Sequence, residues 1–128
     1  MAQGTFDIIH PGHLHYLRES SSLGDKLVVV IARDSRVREK KDLVFNENER
    51  REIVEALKFV DQAVLGAEGN IYETVKDIDP NVITLGYDQE YDKGEVKEMA
   101  EKATGHGVKV VRISGRGGYS SSKLKQDE

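Results

Sequence analysis

No cysteine occurs among the 128 residues, which excludes disulfides and thiolate metal sites. No apolar run is long enough to span a bilayer, and no secretory leader is visible. The expectation is a soluble, cytoplasmic protein with no membrane partner. Charge of one sign is not in excess either. Nineteen basic and 23 acidic side chains leave a formal −4, which argues against bulk affinity for nucleic acid. Repeats, internal linkers and low-complexity segments are absent, and only Lys123 to Glu128 read as a fraying end. The length suits a single domain over 1–128 with one sizeable core.

What is present is an alternation of short apolar runs and helical spacing. Lys26 to Ala32 is rich in β-branched residues and apolar on both faces, as in a parallel strand buried between helix layers. Gln62 to Leu65, Asn81 to Leu85 and Val108 to Ile113 repeat the theme. Between them the pattern predicts four helices. The first covers Gly12 to Leu23, buries Leu14 and Leu17, and stops at Gly24. The second covers Glu47 to Phe59, with Ile53, Val54, Leu57 and Val60 on one face. Ile71, Val75 and Ile78 mark a third, ended by Asp79-Pro80, and Val96, Met99 and Ala103 a fourth, closed by Gly105-His106-Gly107. Such alternation implies an α/β fold: one doubly wound, Rossmann-like domain with a five-stranded parallel sheet in the order 3-2-1-4-5 and helices on both faces. Strand one sits oddly in that scheme, because only Met1-Ala2-Gln3 precede the first motif. Either the strand is short or the natural chain begins earlier.

That motif, Gly4-Thr5-Phe6-Asp7-Ile8-Ile9-His10-Pro11-Gly12-His13, carries most of the functional information. A strand runs into a turn, and a helix begins with two histidines near its first turn. Proline suits the first helical position, and glycine beside it permits close approach to the backbone. The helix N-terminus offers free N–H groups and partial positive charge, a seat for phosphate to which His10 and His13 add donors. Histidines beside an ordinary turn are the plainer reading; the complete string between strand and helix argues against it. A metal cluster of His10, His13 and His15 is the weaker reading, since helical zinc pairs sit at i, i+4 with a carboxylate nearby.

In a doubly wound sheet, ligands bind outside the carboxyl ends of the strands. Three loops fall there: His10 to His13, Gly86-Tyr87-Asp88-Gln89, and Ser114 to Lys123. In the last, glycines around Arg116 and the run Ser120-Ser121-Ser122 suit a second phosphate cradle, although Ser120 also suits a plain helix cap. Asp88 is a candidate to accept hydrogen bonds from a nucleotide or to orient water around a magnesium ion, or else a turn residue. Arg33, Arg36, Arg38, Lys40, Lys41, Arg50 and Arg51 form a basic stretch able to surround a polyanionic small ligand, though each alone reads equally as a solvated surface charge.

The string from Gly4 to His13 resembles the signature of the HxGH nucleotidyltransferase superfamily, and Tyr119-Ser120-Ser121-Ser122-Lys123-Leu124 is similar to its second signature, with Tyr119 where an isoleucine is usual. Two branches resemble this chain: glycerol-3-phosphate cytidylyltransferases using CTP, and archaeal-type FAD synthases. The second is the nearer over almost the full length, through Val30 to Asp34, Arg50 to Leu57, Val60 to Gly66 and Leu85 to Gln89. Some of its members carry cysteines before the final serines, where this chain has Gly117-Gly118-Tyr119, so thiol-linked properties do not transfer. The resemblance implies transfer of AMP from ATP to FMN by direct displacement, with Mg²⁺ or another divalent cation accompanying ATP, and a homodimer. It implies catalytic roles for His10 and His13. The nucleotide would meet Thr5, Phe6, Pro11, Gly12 and Asp88, its outer phosphates Arg116, Ser120 and Ser121, and the acceptor phosphate Lys40, Lys41 and Arg50. Tyr16, Tyr87 and Tyr91 are the aromatic candidates for stacking a flavin.

Overall fold

Among the described residues, five strands and four helices follow one another in the expected order. The structure, a computed structural model, describes residues 1–37, 43–67, 71–87 and 89–114. The elements are β1 (Ala2–Gly4), α1 (Pro11–Ser21), β2 (Val28–Ile31), α2 (Glu47–Glu55), β3 (Gln62–Leu65), α3 (Ile71–Ile78), β4 (Val82–Leu85), α4 (Lys93–Thr104) and β5 (Lys109–Arg112), with a short 3₁₀ turn at Asp34–Arg36. All described strand pairs are parallel. The α2 helix stops earlier than its apolar spacing suggests. Beyond Glu55 the chain tightens into i, i+3 turns, Leu57 N–H to Val54 O and Val60 N–H to Leu57 O, so Leu57 still packs on the core.

Alternation along β2 separates two helix layers. Val29 and Ile31 face one apolar cluster, which includes Leu17 of α1 and Val54 of α2. Val30 faces the other, with Val75 of α3 and Ala100 of α4. Burial on both faces explains why this strand is uninterrupted β-branched sequence.

The continuous five-stranded sheet expected from the pattern is not what forms. There are two small sheets, β1-β2-β3 and β4-β5. Across the seam, among the described residues, only Met1 joins β4 through main-chain bonds, its nitrogen donating to Val82 O (2.7 Å) and its carbonyl accepting from Thr84 N (2.9 Å). The reason is local: β1 has three residues, and the buried Tyr16 hydroxyl stands where the ladder would continue. It accepts from Gln3 N at 3.2 Å and donates to Thr84 O at 2.8 Å. Ser20 supports it, bonding Tyr16 O and the Thr84 hydroxyl, each at 2.7 Å.

A second polar brace lies just before β4 and β5. Asp79 adopts a left-handed backbone (φ 55°), and its Oδ1 accepts from His106 Nε2 at 2.8 Å while His106 Nδ1 donates to Gly107 O at 2.9 Å. Both ring nitrogens thus face acceptors. The Gly107 carbonyl first, then Asp79, hold the imidazolium above its usual pKa. A raised folded-state value stabilises the fold below the unfolded pKa, and that contribution is lost as pH rises through the raised value. His106→Ala is therefore expected to lower the melting temperature at pH 6 and to lose most of that deficit by pH 9, read from thermal unfolding at the two pH values.

Candidate active site

The two motif histidines build the start of α1. His10 is the N-cap, in extended conformation, and its Nδ1 accepts from Gly12 N at 3.0 Å. His13, three residues on, returns the bond: its Nδ1 accepts from His10 N at 3.3 Å. This is a capping box made of imidazoles, with Pro11 at the first helical position. The spacing of the pair is thus a helix-start spacing, and it stacks the rings with centroids 3.8 Å apart. Because Nδ1 accepts on both rings, Nε2 carries the proton when each is neutral. His13 is held neutral at ordinary pH, its pKa lowered to about 4 by burial first and by the neighbouring His10 second.

Phe6 sets the approach to this turn. Its backbone is left-handed (φ 53°), and its buried ring lies against Gly4, edge-on to His13 and parallel to Tyr16. A Cβ on Gly4 would come within 2.8 Å of that ring, so only glycine fits there. The Phe6 side chain is therefore part of the core, supporting His13 from below.

Two buried charged groups fasten the loops around the motif. Asp7 accepts from Val44 N (2.9 Å to Oδ2) and Phe45 N (2.9 Å to Oδ1). Arg50 is fully buried in α2. It donates to Phe45 O at 3.2 Å, Thr5 O at 2.9 Å and Ala32 O at 2.8 Å, and pairs with Asp34 at 2.5 Å. The peptide units of Phe45 are thus gripped from both sides, tying the exit of the basic stretch to the end of β1. Sequence reasoning placed Arg50 at the acceptor phosphate. The structure instead commits its guanidinium to protein partners, so it shapes the site from beneath.

The carboxyl ends of the strands open into a cleft of about 800 Å³. Thr5 follows β1 into it, Arg33 and Arg36 follow β2, Ala67 follows β3, and Gln89 and Tyr91 follow β4. Arg33 is braced across the cleft floor, donating to Gly66 O at 2.5 Å and pairing with Glu47 at 3.3 Å. The cytidylyltransferase-like family model matches residues 1–127. The chain belongs to the cytidylyltransferase-like family.

Among curated relatives of this cytidylyltransferase-like chain is the FAD synthase of Thermoplasma volcanium, 50% identical over 129 residues, 98% of this chain and 90% of that protein. The FAD synthase of Aciduliprofundum boonei is 54% identical over 114 residues, 88% and 76% of the respective chains. A crystal structure described as the lipopolysaccharide core biosynthesis protein of T. volcanium matches with a TM-score of 0.83 at 50% identity, over 90% of this chain and 94% of that one. A protein of unknown function from Archaeoglobus fulgidus shares the fold alone, with a TM-score of 0.64 at 19% identity over 88% and 96%.

Of the residues expected in the site, Thr5, Phe6, His10, Pro11, Gly12 and His13 come together at the β1–α1 junction. Lys40, Lys41, Asp88, Arg116, Ser120 and Ser121 lie outside the described residues. Among the described residues no three His, Asp or Glu side chains converge as a metal site, and His15 Nε2 donates instead to Ser114 O at 3.0 Å. The sequence reading assigned no role to Asp7, Asp34, Gln89 or Arg112. Asp7 was visible inside the motif; the others give no signal without the fold.

The depressed His13 pKa has a defined sign. The folded protein resists protonation that the unfolded chain accepts between pH 6.5 and about 4, so stability falls as pH drops through that window. At pH 5 the penalty is on the order of 1–2 kcal/mol, after allowance for partial solvent exposure of the ring. His13→Gln should lose less stability than the wild type between pH 7 and pH 5, measured by urea unfolding at each pH.

Proposed function

We propose that this chain is an FMN adenylyltransferase, joining AMP from ATP to FMN to give FAD and pyrophosphate. The observation that carries the reading is the imidazole capping pair at the β1–α1 junction in a chain about half identical to FAD synthases over nearly its whole length. The two small sheets act as one sheet in the order 3-2-1-4-5, with the nucleotide seated where the order reverses, beside His10 and His13.

The reaction is an in-line displacement. A terminal phosphate oxygen of FMN attacks the α-phosphorus of ATP, the new P–O bond forms, and the bond from the α-phosphorus to the α,β-bridging oxygen breaks as pyrophosphate leaves with that oxygen. No protein nucleophile takes part, so catalysis is positioning and charge stabilisation. His10 and His13 donate through Nε2–H to oxygens whose charge grows in the transition state. Burial first and the neighbouring His10 second keep His13 neutral in the free enzyme. The α1 N-terminus adds its amides.

A divalent cation such as Mg²⁺ accompanying ATP would neutralise triphosphate charge, with Asp88 the residue that would orient its water. Arg116, Ser120 and Ser121 hold the outer phosphates, and Asp88 the nucleoside. Lys40 and Lys41, with Arg33 and Arg36 on the cleft wall, take the FMN phosphate. Among the described helices none is long and apolar enough to cross a membrane. A homodimer in the cytoplasm is what the resemblance to FAD synthases implies.

Purified protein with ATP, Mg²⁺ and FMN should yield FAD and pyrophosphate on chromatography, whereas CTP with glycerol-3-phosphate should yield no CDP-glycerol. The reverse pattern would move the chain to the cytidylyltransferase branch. His13→Ala should lower kcat by about 10²–10³-fold, as for loss of one preorganised donor, with ATP affinity changed only a few-fold.

A further inference from the structure

The seam between β1 and β4 follows a regular ladder that is interrupted in a patterned way. Met1 donates to Val82 O and accepts from Thr84 N, so it stands opposite Ile83. In a parallel pair the next rungs fall two residues on: Gln3 N–H to Thr84 O, then Gly86 N–H to Gln3 O. Neither forms directly. In the first, the Tyr16 hydroxyl is inserted, accepting from Gln3 N (3.2 Å) and donating to Thr84 O (2.8 Å). In the second, the Gln89 carboxamide is inserted, its Oε1 accepting from Gly86 N (3.0 Å) and its Nε2 donating to Gln3 O (3.0 Å). Each rung is kept, but lengthened from one hydrogen bond to two.

Gln89 is itself anchored. Arg112, the last residue of β5, donates through Nη1 to Gly86 O (3.1 Å) and Gln89 O (2.7 Å), and through Nη2 to Tyr91 O. One guanidinium thus consumes three carbonyls of the loop after β4 and turns that loop into a fixed wall. Gln3, Thr5, Gln89 and Tyr91 then line the cleft on both sides of the opened seam.

We propose that Tyr16 and Gln89 are spacers that hold β1 and β4 apart at their carboxyl ends and so set the width of the slot that receives the nucleotide, with Arg112 locking the Gln89 side. A directly laddered pair would bring the strands to about 4.8 Å and close the slot. Replacing the rungs by side chains satisfies every backbone group involved while leaving the strands splayed, which a sheet cannot otherwise do without leaving buried polar groups unpaired. The spacers are positioning residues: the polar groups that bridge the seam are bonded to backbone of both strands. The inference rests on ATP being the nucleotide, as read above.

Tyr16→Phe and Gln89→Met test it, by calorimetric titration with magnesium ATP and by steady-state kinetics of FAD formation. Each substitution keeps side-chain bulk and removes the bridging polar group. The expected result is a rise of about tenfold in the ATP Kd and KM in either variant, worth about 1.4 kcal/mol, with kcat within about threefold and the FMN KM within about twofold of wild type. Gln89 lies on a surface loop, so Gln89→Met reads the second rung even if Tyr16→Phe fails to fold. ATP affinity within twofold of wild type in Gln89→Met, whether or not the melting temperature falls, would overturn the proposal, because a merely structural role moves stability and not the ATP constants. Wild-type protein that binds ATP yet makes no FAD would sink the flavin assignment alone; wild-type protein that binds no ATP would sink both.

Discussion

Every main-chain group at the carboxyl end of β1 has to find a partner without closing the crevice beside it. That constraint organises the rest of the molecule. Gly4 O is met by Ala32 N in the sheet, but Thr5 O is met by Arg50 from α2, Gln3 N by Tyr16 from α1, and Gln3 O by Gln89 from the loop after β4. A buried amide or carbonyl left alone costs about 1–3 kcal/mol, so each of these side chains is under strong demand. Because the partners come from separate elements, the strand end can be satisfied only when those elements are docked.

The histidine pair shows the same economy. One arrangement of His10 and His13 closes the helix start, fixes both tautomers, and places two Nε2–H donors at the amino end of α1. The ring of Phe6 beneath His13, reached through a left-handed backbone and a glycine, holds that arrangement against the core. Burial first and the neighbouring His10 second make His13 a weak base, against a bond to the Ile8 backbone that acts the other way. Structure and chemistry make the same demand on the residues, so the motif is short and dense.

Much of this was legible beforehand. β2 and β4 announced themselves through β-branched runs, and the helices through apolar spacing, because each signal is written within a few consecutive residues. The helix start at His10 to His13 was legible for the same reason: it is local sequence making local structure. Arg50 misled because a basic residue near a helix start looks the same whether it faces solvent or the core. What decides between them is that Phe45 O, Thr5 O, Ala32 O and Asp34 all surround it, and these lie in separate stretches of the chain. The roles of Asp7, Gln89 and Arg112 were hidden likewise, since each bonds to backbone far away in sequence.

The sequence by itself therefore determined the layering of the α/β fold, the family, and the position of the histidine seat, since periodicity and a contiguous motif need no knowledge of distant partners. Tertiary structure alone decided how the sheet divides, that Arg50 supports the site from within, and that Tyr16 and Gln89 stand in the seam between β1 and β4. Those outcomes depend on which backbone groups are left over once the elements dock. Leftover hydrogen-bonding capacity is a property of the packed molecule, and no local run of residues encodes it.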